Sequence, residues 1–207
     1  MSLFFQIHPD NPQSRLIDQA VEIMRKGGVV VYPTDSCYAI GCRIGDRSAA
    51  ERIRIIRRLT PKHDFTLMCS ELNEVGTYAK LDNPAFRLIK AITPGPFTFI
   101  LQATKEVPKR LLTPKRKTIG IRLPDNPVVN ALLNTLGEPI ISTTLNLPGD
   151  EYPLSDPYEM RDLLDKQVDL IIDGGYCGLE PTTVVDMLDD VPSIIRAGLG
   201  DISLIEN

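Results

Sequence analysis

Segments with the periodicity of helices alternate with strand-like segments along the chain, and this alternation restricts the fold more than any other feature. Apolar residues at helical spacing, bounded by capping and stop residues such as Ser14 and Gly27, predict helices at 15–26, 48–59, 84–92, 127–136 and 157–166. Short apolar or β-branched runs between turn residues predict strands at 29–32, 65–69, 98–102, 118–122, 140–144, 170–172, 183–187 and 193–196. The pattern predicts an α/β fold in which helices pack on a mixed sheet.

A single domain spanning 1–207 is expected, because the chain has no linker-like stretch and no internal repeat. No apolar run approaches the roughly 18–20 residues that cross a bilayer. The first eight residues lack the basic segment and the long apolar core of a secretory signal. We therefore expect a cytoplasmic protein that does not contact a membrane.

The four cysteines and two histidines show no metal-binding spacing, because no two cysteines form a C-x-x-C pair. We expect no metal site and no disulfide framework. The thiols of Cys37, Cys42, Cys69 and Cys177 are expected to be reduced and mostly buried. A nucleophile built from Cys69 and His63 is an alternative that no local pattern requires.

Charge is distributed unevenly along the chain. Residues 1–149 carry seven more basic than acidic side chains, whereas residues 150–207 carry eleven more acidic than basic ones, which gives the net charge of −4. Basic residues crowd into 43–62 and 105–122. Concentrated positive charge attracts polyanions such as nucleotide phosphates or RNA. A solvated face balanced by the acidic segment is the alternative, and charge alone does not decide between them.

Arg57 differs from the other basic residues of its predicted helix. Helical spacing places Arg57 in line with Ala50 and Ile53, toward the apolar side, whereas Arg54 and Arg58 belong to a solvated face. An arginine on the apolar side either extends to solvent or meets an anion in a cleft.

Three hydroxyl-rich loops beside predicted strands have compositions that suit a ligand site, at 32–38, 142–149 and 180–183. Ligands commonly bind at strand ends in open α/β sheets. The chain lacks the glycine motifs of phosphate loops and dinucleotide-binding folds. Each loop alone is more simply a turn, so the residues by themselves indicate a polyanion-binding α/β domain with a hydroxyl-lined cleft.

The ordered set of short motifs resembles the YrdC/YciO family, which comprises the threonylcarbamoyl-adenylate synthases and their relatives. The similarity covers residues from about 12 to 200 and is greatest to the YciO branch, because of the chain length and the segment His63-Asp64-Phe65-Thr66-Leu67. The motifs are VVYPTD at 30–35, PGPFT at 94–98, IGIRLP at 119–124, STTLN at 142–146, TTVVD at 182–186 and IRAG at 195–198.

The resemblance implies the YrdC-like fold, a twisted, open mixed sheet flanked by helices, with a deep basic cavity. It implies that L-threonine, bicarbonate and ATP, the last with Mg²⁺, are joined into threonylcarbamoyl-AMP and pyrophosphate. This product would serve the modification of adenosine 37 in tRNA. The alternative is a non-catalytic module that binds double-stranded RNA or tRNA in the same basic cavity.

The resemblance also implies roles for eight positions and no protein metal ligand. The threonine substrate would be bound by Thr34, Arg122 and Thr182, with Arg122 on the carboxylate. The nucleotide would be bound by Arg57, Thr118, Thr144, Asn146 and Arg196. The catalytic residues would be Arg57, Thr144 and Asn146.

Two motifs depart from those of the synthases. Arg57 stands in place of a lysine, Leu59 in place of a second cation, and Thr144 in place of a serine. Threonine keeps the hydroxyl and arginine keeps the charge with a different geometry, whereas Leu59 removes a cation. Loss of one donor that faces a charged transition state costs about 10²–10³ in rate. The resemblance therefore implies weak or altered activity.

Overall fold

A mixed β-sheet organises the computed structural model, which describes residues 1–60, 65–112 and 116–205. In these residues the strands are β1 (Leu3–Gln6), β2 (Val30–Tyr32), β3 (Ala39–Arg43), β4 (Thr66–Met68), β5 (Phe97–Gln102), β6 (Thr118–Arg122), β7 (Ile140–Thr144), β8 (Leu170–Asp173), β9 (Thr183–Asp186) and β10 (Ser193–Arg196). They form one sheet in the order β1-β8-β2-β3-β7-β4-β6-β5-β9-β10. The sheet is open, with β1 and β10 as its edges.

Helices lie on both faces of this sheet. Across the described ranges they are α1 (Ser14–Arg25), α2 (Arg47–Arg57), α3 (Leu72–Tyr78), α4 (Asn83–Ile92), α5 (Pro127–Leu136) and α6 (Pro157–Leu164), with short 3-10 helices at Lys109–Leu111 and Ile202–Leu204. None of these helices has the length and apolar character needed to cross a membrane.

The predicted α/β class, with helices flanking an open mixed sheet, is confirmed. The bounds of α5, β6 and β7 agree with the predicted segments to the residue. The sequence pattern missed β1, β3 and α3, which are short and lack a strong apolar period. The prediction that Ser14 caps the first helix is wrong, because Gln13 occupies that position and its side chain makes no capping hydrogen bond.

Two apolar clusters, one on each face of the sheet, bury the helices. On the first face α1 and α5 pack over β2 and β8, with Val21 and Leu133 among the fully buried contacts. On the second face Ala50 and Ile53 of α2 pack against Ile40 of β3. Burial of such side chains stabilises each by about 1.5–3 kcal/mol. Because α1 and α5 cover only part of the first face, the rest of that face is available to line a cavity.

Candidate functional site

The uncovered part of the first face forms the floor of a cavity of about 700 Å³. Opposite residues in the registers of neighbouring strands project to the same face of the sheet. On this face most side chains in the cavity floor are small or hydroxyl-bearing, namely Ala39, Ser142, Thr144, Thr66, Gly120 and Thr98, and the apolar Met68, Ile100 and Val184 lie among them. The small and hydroxyl-bearing side chains leave room above the sheet and offer hydrogen bonds to a polar ligand.

Gly120 in the middle of this floor is closely packed by its neighbours. A Cβ atom at position 120 would lie 3.0 Å from Oγ1 of Thr66 and 3.4 Å from Cγ2 of Thr98. The absence of a side chain therefore keeps the floor flat between two threonines.

The three loops singled out from the sequence converge on this cavity. Cys37 and Tyr38 come from the first loop, Thr143 and Asn146 from the second, and Glu180 with its neighbours from the third. The interpretation of each loop as a plain turn is therefore insufficient, since together they supply one wall.

Arg122, at the end of β6, is buried in the cavity wall and held by the loop that joins β2 to β3. Its Nη2 donates to the carboxylate of Asp35, to Oγ of Ser36 at 2.9 Å and to Oγ1 of Thr34 at 3.2 Å. The second carboxylate oxygen of Asp35 accepts from the backbone N–H of Asp125 at 3.1 Å. The Nε atom of Arg122 is buried without a hydrogen-bond partner. One end of the guanidinium is thus fixed, and the Nε edge is left for an anion.

This β2–β3 loop rests in turn on the segment that follows β8. The hydroxyl of Tyr38 donates to the carbonyl of Gly175 at 2.6 Å, and the thiol of Cys37 donates to the carbonyl of Glu180 at 3.2 Å. The thiol of Cys177 faces the carbonyl of Thr34 at 3.6 Å. These contacts fix the loop that positions Arg122.

The cysteines are free thiols, as predicted. Cys37, Cys42 and Cys69 are buried, and burial raises the pKa of the Cys42 thiol to about 12. Such thiols stay protonated at neutral pH and act as small apolar groups. The alternative pair of Cys69 and His63 falls partly outside the described residues, because His63 lies in the gap between 60 and 65.

Arg57, the last residue of α2, lies in the cavity wall on the side where β4 begins. Burial lowers the pKa of its guanidinium below the ordinary value. Its Nε atom has no hydrogen-bond partner, and within the described ranges no carboxylate pairs with it. Of the two environments that the sequence left open, the structure places Arg57 in the cleft.

Asn146 and Thr144 complete the wall near Arg57. The Oδ1 atom of Asn146 is buried and has no partner. In the part of the chain that the structure describes, the buried side-chain polar atoms without a partner are three, one each on Arg57, Arg122 and Asn146, and all three residues line this cavity. Buried polar groups are nearly always hydrogen-bonded in native proteins, so these three atoms indicate a ligand site.

Thr182 and Arg196 form the side of the cavity next to β9 and β10. The hydroxyls of Thr182 and Thr98 are 2.8 Å apart, and Nη2 of Arg196 donates to the carbonyl of Thr182 at 2.8 Å. Arg196 is exposed on the edge strand, and its guanidinium is anchored to the backbone that presents Thr182.

Six of the eight predicted site residues line the cavity, and two lie just outside its wall. Thr34 is buried behind Arg122 and contacts its guanidinium. Thr118 is buried at the start of β6, on the same face as Gly120 but beyond the lining. The ligand contacts proposed for these two positions stay predictions.

The cavity and the residues that support it include some that the sequence reasoning did not assign. Asp35 lacked an evident partner in the sequence, and its pairing with Arg122 arises only in the fold. Thr98 lies inside one of the quoted motifs, and its alternation with Phe97 and Phe99 is the signal that places it on the opposite face of the strand. Glu151 and Glu180 add two carboxylates to the wall.

Leu59 does not line this cavity. It contributes to a separate groove beside α2 whose other described walls are Glu51, Arg54, Ile55, Arg58 and Arg110. Leu59 also packs against the apolar cluster of the second face, directly after Arg58, which has a left-handed φ of 47°. The effect of the missing cation at position 59 stays a prediction.

No group of three or more potential metal ligands occurs among the residues that the structure describes. The carboxylates of Glu151 and Glu180 are oxygen donors of the kind that Mg²⁺ accepts beside phosphate oxygens. They therefore fit a cation that enters with a nucleotide.

Comparison with known proteins places these features in a family. The family model Sua5/yciO/yrdC, described as "Telomere recombination", matches residues 22–198. The uncharacterized protein YciO of Escherichia coli strain K12 is 63% identical over 202 residues, which cover 98% of each chain. The crystal structure of E. coli YciO superposes with a TM-score of 0.95 at 62% identity, over 99% of this chain and 100% of that chain.

Two further similarities are more distant. A threonylcarbamoyl-AMP synthase of Coxiella burnetii strain RSA 493 is 32% identical over 159 residues, which cover 76% of this chain and 84% of the synthase. The crystal structure of P. abyssi Sua5 complexed with L-threonine has a TM-score of 0.88 at 22% identity, over 95% of this chain and 58% of that chain. The second similarity concerns the fold alone.

Proposed function

The chain belongs to the Sua5/YciO/YrdC family, and from this premise we propose that its cavity joins L-threonine, bicarbonate and ATP into threonylcarbamoyl-AMP and pyrophosphate, slowly or in altered form. The observation that carries the proposal is the set of three unpartnered buried polar atoms on Arg57, Arg122 and Asn146. The relative from C. burnetii is named threonylcarbamoyl-AMP synthase, and the P. abyssi Sua5 structure holds L-threonine. The product would serve the modification of adenosine 37 in tRNA.

Arg122 is the residue best suited to hold the carboxylate of the amino acid. Its charge is buried, its Nη2 is fixed by Asp35, and its Nε edge lacks a partner. Arginine–carboxylate pairs are short and directional, so an arginine oriented in advance selects the position of the amino acid.

Arg57 is suited to the phosphates of ATP, and the unpartnered Oδ1 of Asn146 is suited to accept a hydrogen bond from another part of the nucleotide. The partly desolvated guanidinium of Arg57 has no carboxylate partner in the described residues, and phosphate oxygens would satisfy it. In the proposed step a carbamate oxygen of N-carboxylated threonine forms a bond to the α-phosphorus, and the bond from that phosphorus to pyrophosphate breaks. Arg57 would stabilise the negative charge that develops on the leaving group. Mg²⁺ bound with ATP would neutralise further phosphate charge, with Glu151 and Glu180 as available protein oxygens.

Release of pyrophosphate, measured with ATP, bicarbonate and each amino acid in turn, tests this function. We expect release that depends on both bicarbonate and L-threonine, at a rate below that of the C. burnetii synthase measured in parallel. Because Arg57 replaces a lysine, the deficit should appear in turnover more than in the affinity for ATP. Absence of amino-acid-dependent release, together with absence of threonine binding, would overturn the proposal.

An RNA-binding function is a second candidate, and one observation favours it. The groove beside α2 brings Arg54 and Arg58 together with Arg110, from two segments about fifty residues apart, and in the described ranges none of the three pairs with a carboxylate. Not all residues of the second basic cluster, at 105–122, lie in this groove. Lys115 lies outside the described residues, and Arg116 pairs with Asp186 at 3.4 Å elsewhere.

Replacement of both Arg58 and Arg110 by alanine tests the RNA-binding candidate. If duplex RNA binds here through phosphates, affinity should fall alike for unrelated sequences, and the slope of log K against log salt should decrease by about 2. Fluorescence anisotropy at several salt concentrations measures both quantities. Arg87→Ala, which removes an exposed charge from α4, is the control and should reduce affinity less. A sequence preference that survives the double replacement would contradict a phosphate-driven mode.

A further inference from the structure

The hydroxyls of Thr98 and Thr182 form an isolated pair in the cavity wall. Their oxygens are 2.8 Å apart, and both residues are buried, with 8% and 7% of their surface exposed. A hydroxyl supplies one hydrogen and accepts up to two, so the mutual bond uses only one of the two hydrogens. In the described part of the chain neither hydroxyl has another partner. The pair therefore retains one donor and free lone pairs that a ligand can use.

The pair lies next to Arg122. Phe99 of β5 is opposite Ile121 of β6, so the same antiparallel register continued by one residue puts Thr98 opposite Arg122, and both residues line the cavity. Directly opposite residues in such pairs have Cα atoms about 4.5–5.5 Å apart. A small ligand whose carboxylate rests on Arg122 therefore has its other substituents within reach of the two hydroxyls.

The orientation of Thr98 is fixed before any ligand binds. The Cγ2 atom of Thr98 faces Gly120, where an added Cβ would lie 3.4 Å away, while Oγ1 faces Thr182. β-Branched side chains have few accessible χ1 rotamers, and this one is held between β6 and the segment before β9. The backbone of Thr182 is in turn bound by Arg196 at 2.8 Å. A hydroxyl pair held in this way is rigid enough to select a ligand.

We infer that Thr98, paired with Thr182, determines specificity by binding the side-chain hydroxyl of the amino acid, so that the cavity accepts β-hydroxy amino acids and rejects their apolar isosteres. The inference rests on the proposed function, because it takes the carboxylate on Arg122 as the first contact. A site built to hydrogen-bond a substrate hydroxyl rejects the analogue that lacks it strongly, since buried polar groups are then left without partners. Valine has the shape of threonine with a methyl in place of the hydroxyl and is the analogue that isolates this contact.

Titration calorimetry with L-threonine, L-serine and L-valine, in the presence of ATP, tests the inference. The wild-type protein should bind threonine at least about 10²-fold more tightly than valine. Thr98→Val should reduce this ratio to about fivefold or less, mainly through weaker threonine binding. Thr98→Ser keeps the hydroxyl and should keep most of the ratio. Thr93→Val, at the end of α4 and away from the cavity, controls for general effects of losing a hydroxyl.

The outcomes separate this inference from the function on which it rests. If no amino acid binds the wild-type protein, the proposed function fails and the inference fails with it. If threonine binds but Thr98→Val weakens threonine and valine by the same factor, the hydroxyl pair contacts another part of the ligand and only this inference is overturned. Should Thr98→Val fail to fold, Thr182→Val makes the same comparison with the same expected loss of discrimination.

Discussion

Arg122→Ala is expected to lower the free energy of unfolding by about 3–5 kcal/mol and to abolish the stabilisation that L-threonine gives in the presence of ATP. The loss of stability follows from Asp35, whose carboxylate is almost as buried as the guanidinium it pairs with. Removal of one member of a buried pair leaves an uncompensated charge in a poorly solvated position. Urea unfolding measures the first effect, and the shift of Tm with added threonine measures the second.

The double variant Asp35→Ala/Arg122→Ala separates these two effects. Because it removes both charges, it should regain much of the stability lost in Arg122→Ala. It should still show no threonine-dependent shift of Tm, since the group that binds the carboxylate is absent. If the single variant does not fold, the double variant still tests the binding role. A threonine-dependent shift of wild-type size in either protein would exclude Arg122 from the site.

Arg57→Met, unlike Arg122→Ala, should cause little or no loss of stability, but it should cause a large loss of activity. We expect threonine-dependent pyrophosphate release to fall about 10²–10³-fold, which is the usual effect of removing a donor that faces developing charge. Stability should be unchanged or higher, because the guanidinium is partly desolvated, its Nε lacks a partner and methionine has a similar length. Steady-state kinetics and ATP titration should assign the loss to turnover rather than to nucleotide affinity.

Arg58→Met is the matched control for this prediction. Arg58 is the next residue, carries the same charge and is exposed in the groove beside α2 rather than in the cavity. Its replacement should leave turnover within about twofold of the wild type. An equal loss of activity in both variants would show that net charge near α2, and not the placement of Arg57, affects the rate.

Local patterns were sufficient for much of the fold and for part of the site. β6, β7 and α5 agree with their predicted bounds because strong apolar periods and clear end signals coincide there. The strand β3 was missed because Ala39 and Gly41 replace the apolar alternation of an ordinary strand with small residues. Ala39 lines the cavity floor, and a Cβ atom at Gly41 would lie 2.9 Å from the hydroxyl oxygen of Tyr32. The open cavity and close packing beside it thus weakened the signal by which strands are recognised.

The helical period of α2 was likewise enough to separate Arg57 from Arg58. Side chains three and four positions apart share a face, so the inward direction of Arg57 follows from its spacing to Ala50 and Ile53. Leu59 was predicted to end this helix, but the helix ends at Arg57, and Leu59 follows the left-handed turn at Arg58 and lines the groove beside α2. The period therefore predicted the direction of Arg57 and missed the end of the helix by two residues.

The sequence by itself determined the fold class, the inward face of α2 and the three polar loops, because each depends on residues close together in the chain. Only the tertiary structure decided which of these features meet. Asp35 and Arg122 are 87 positions apart, and Thr98 and Thr182 are 84 positions apart. They become neighbours because the central strands follow the order β3-β7-β4-β6-β5-β9, which differs from their order along the chain. Strand order is set by the packing of the whole sheet, and short-range patterns of apolar residues therefore do not predict it.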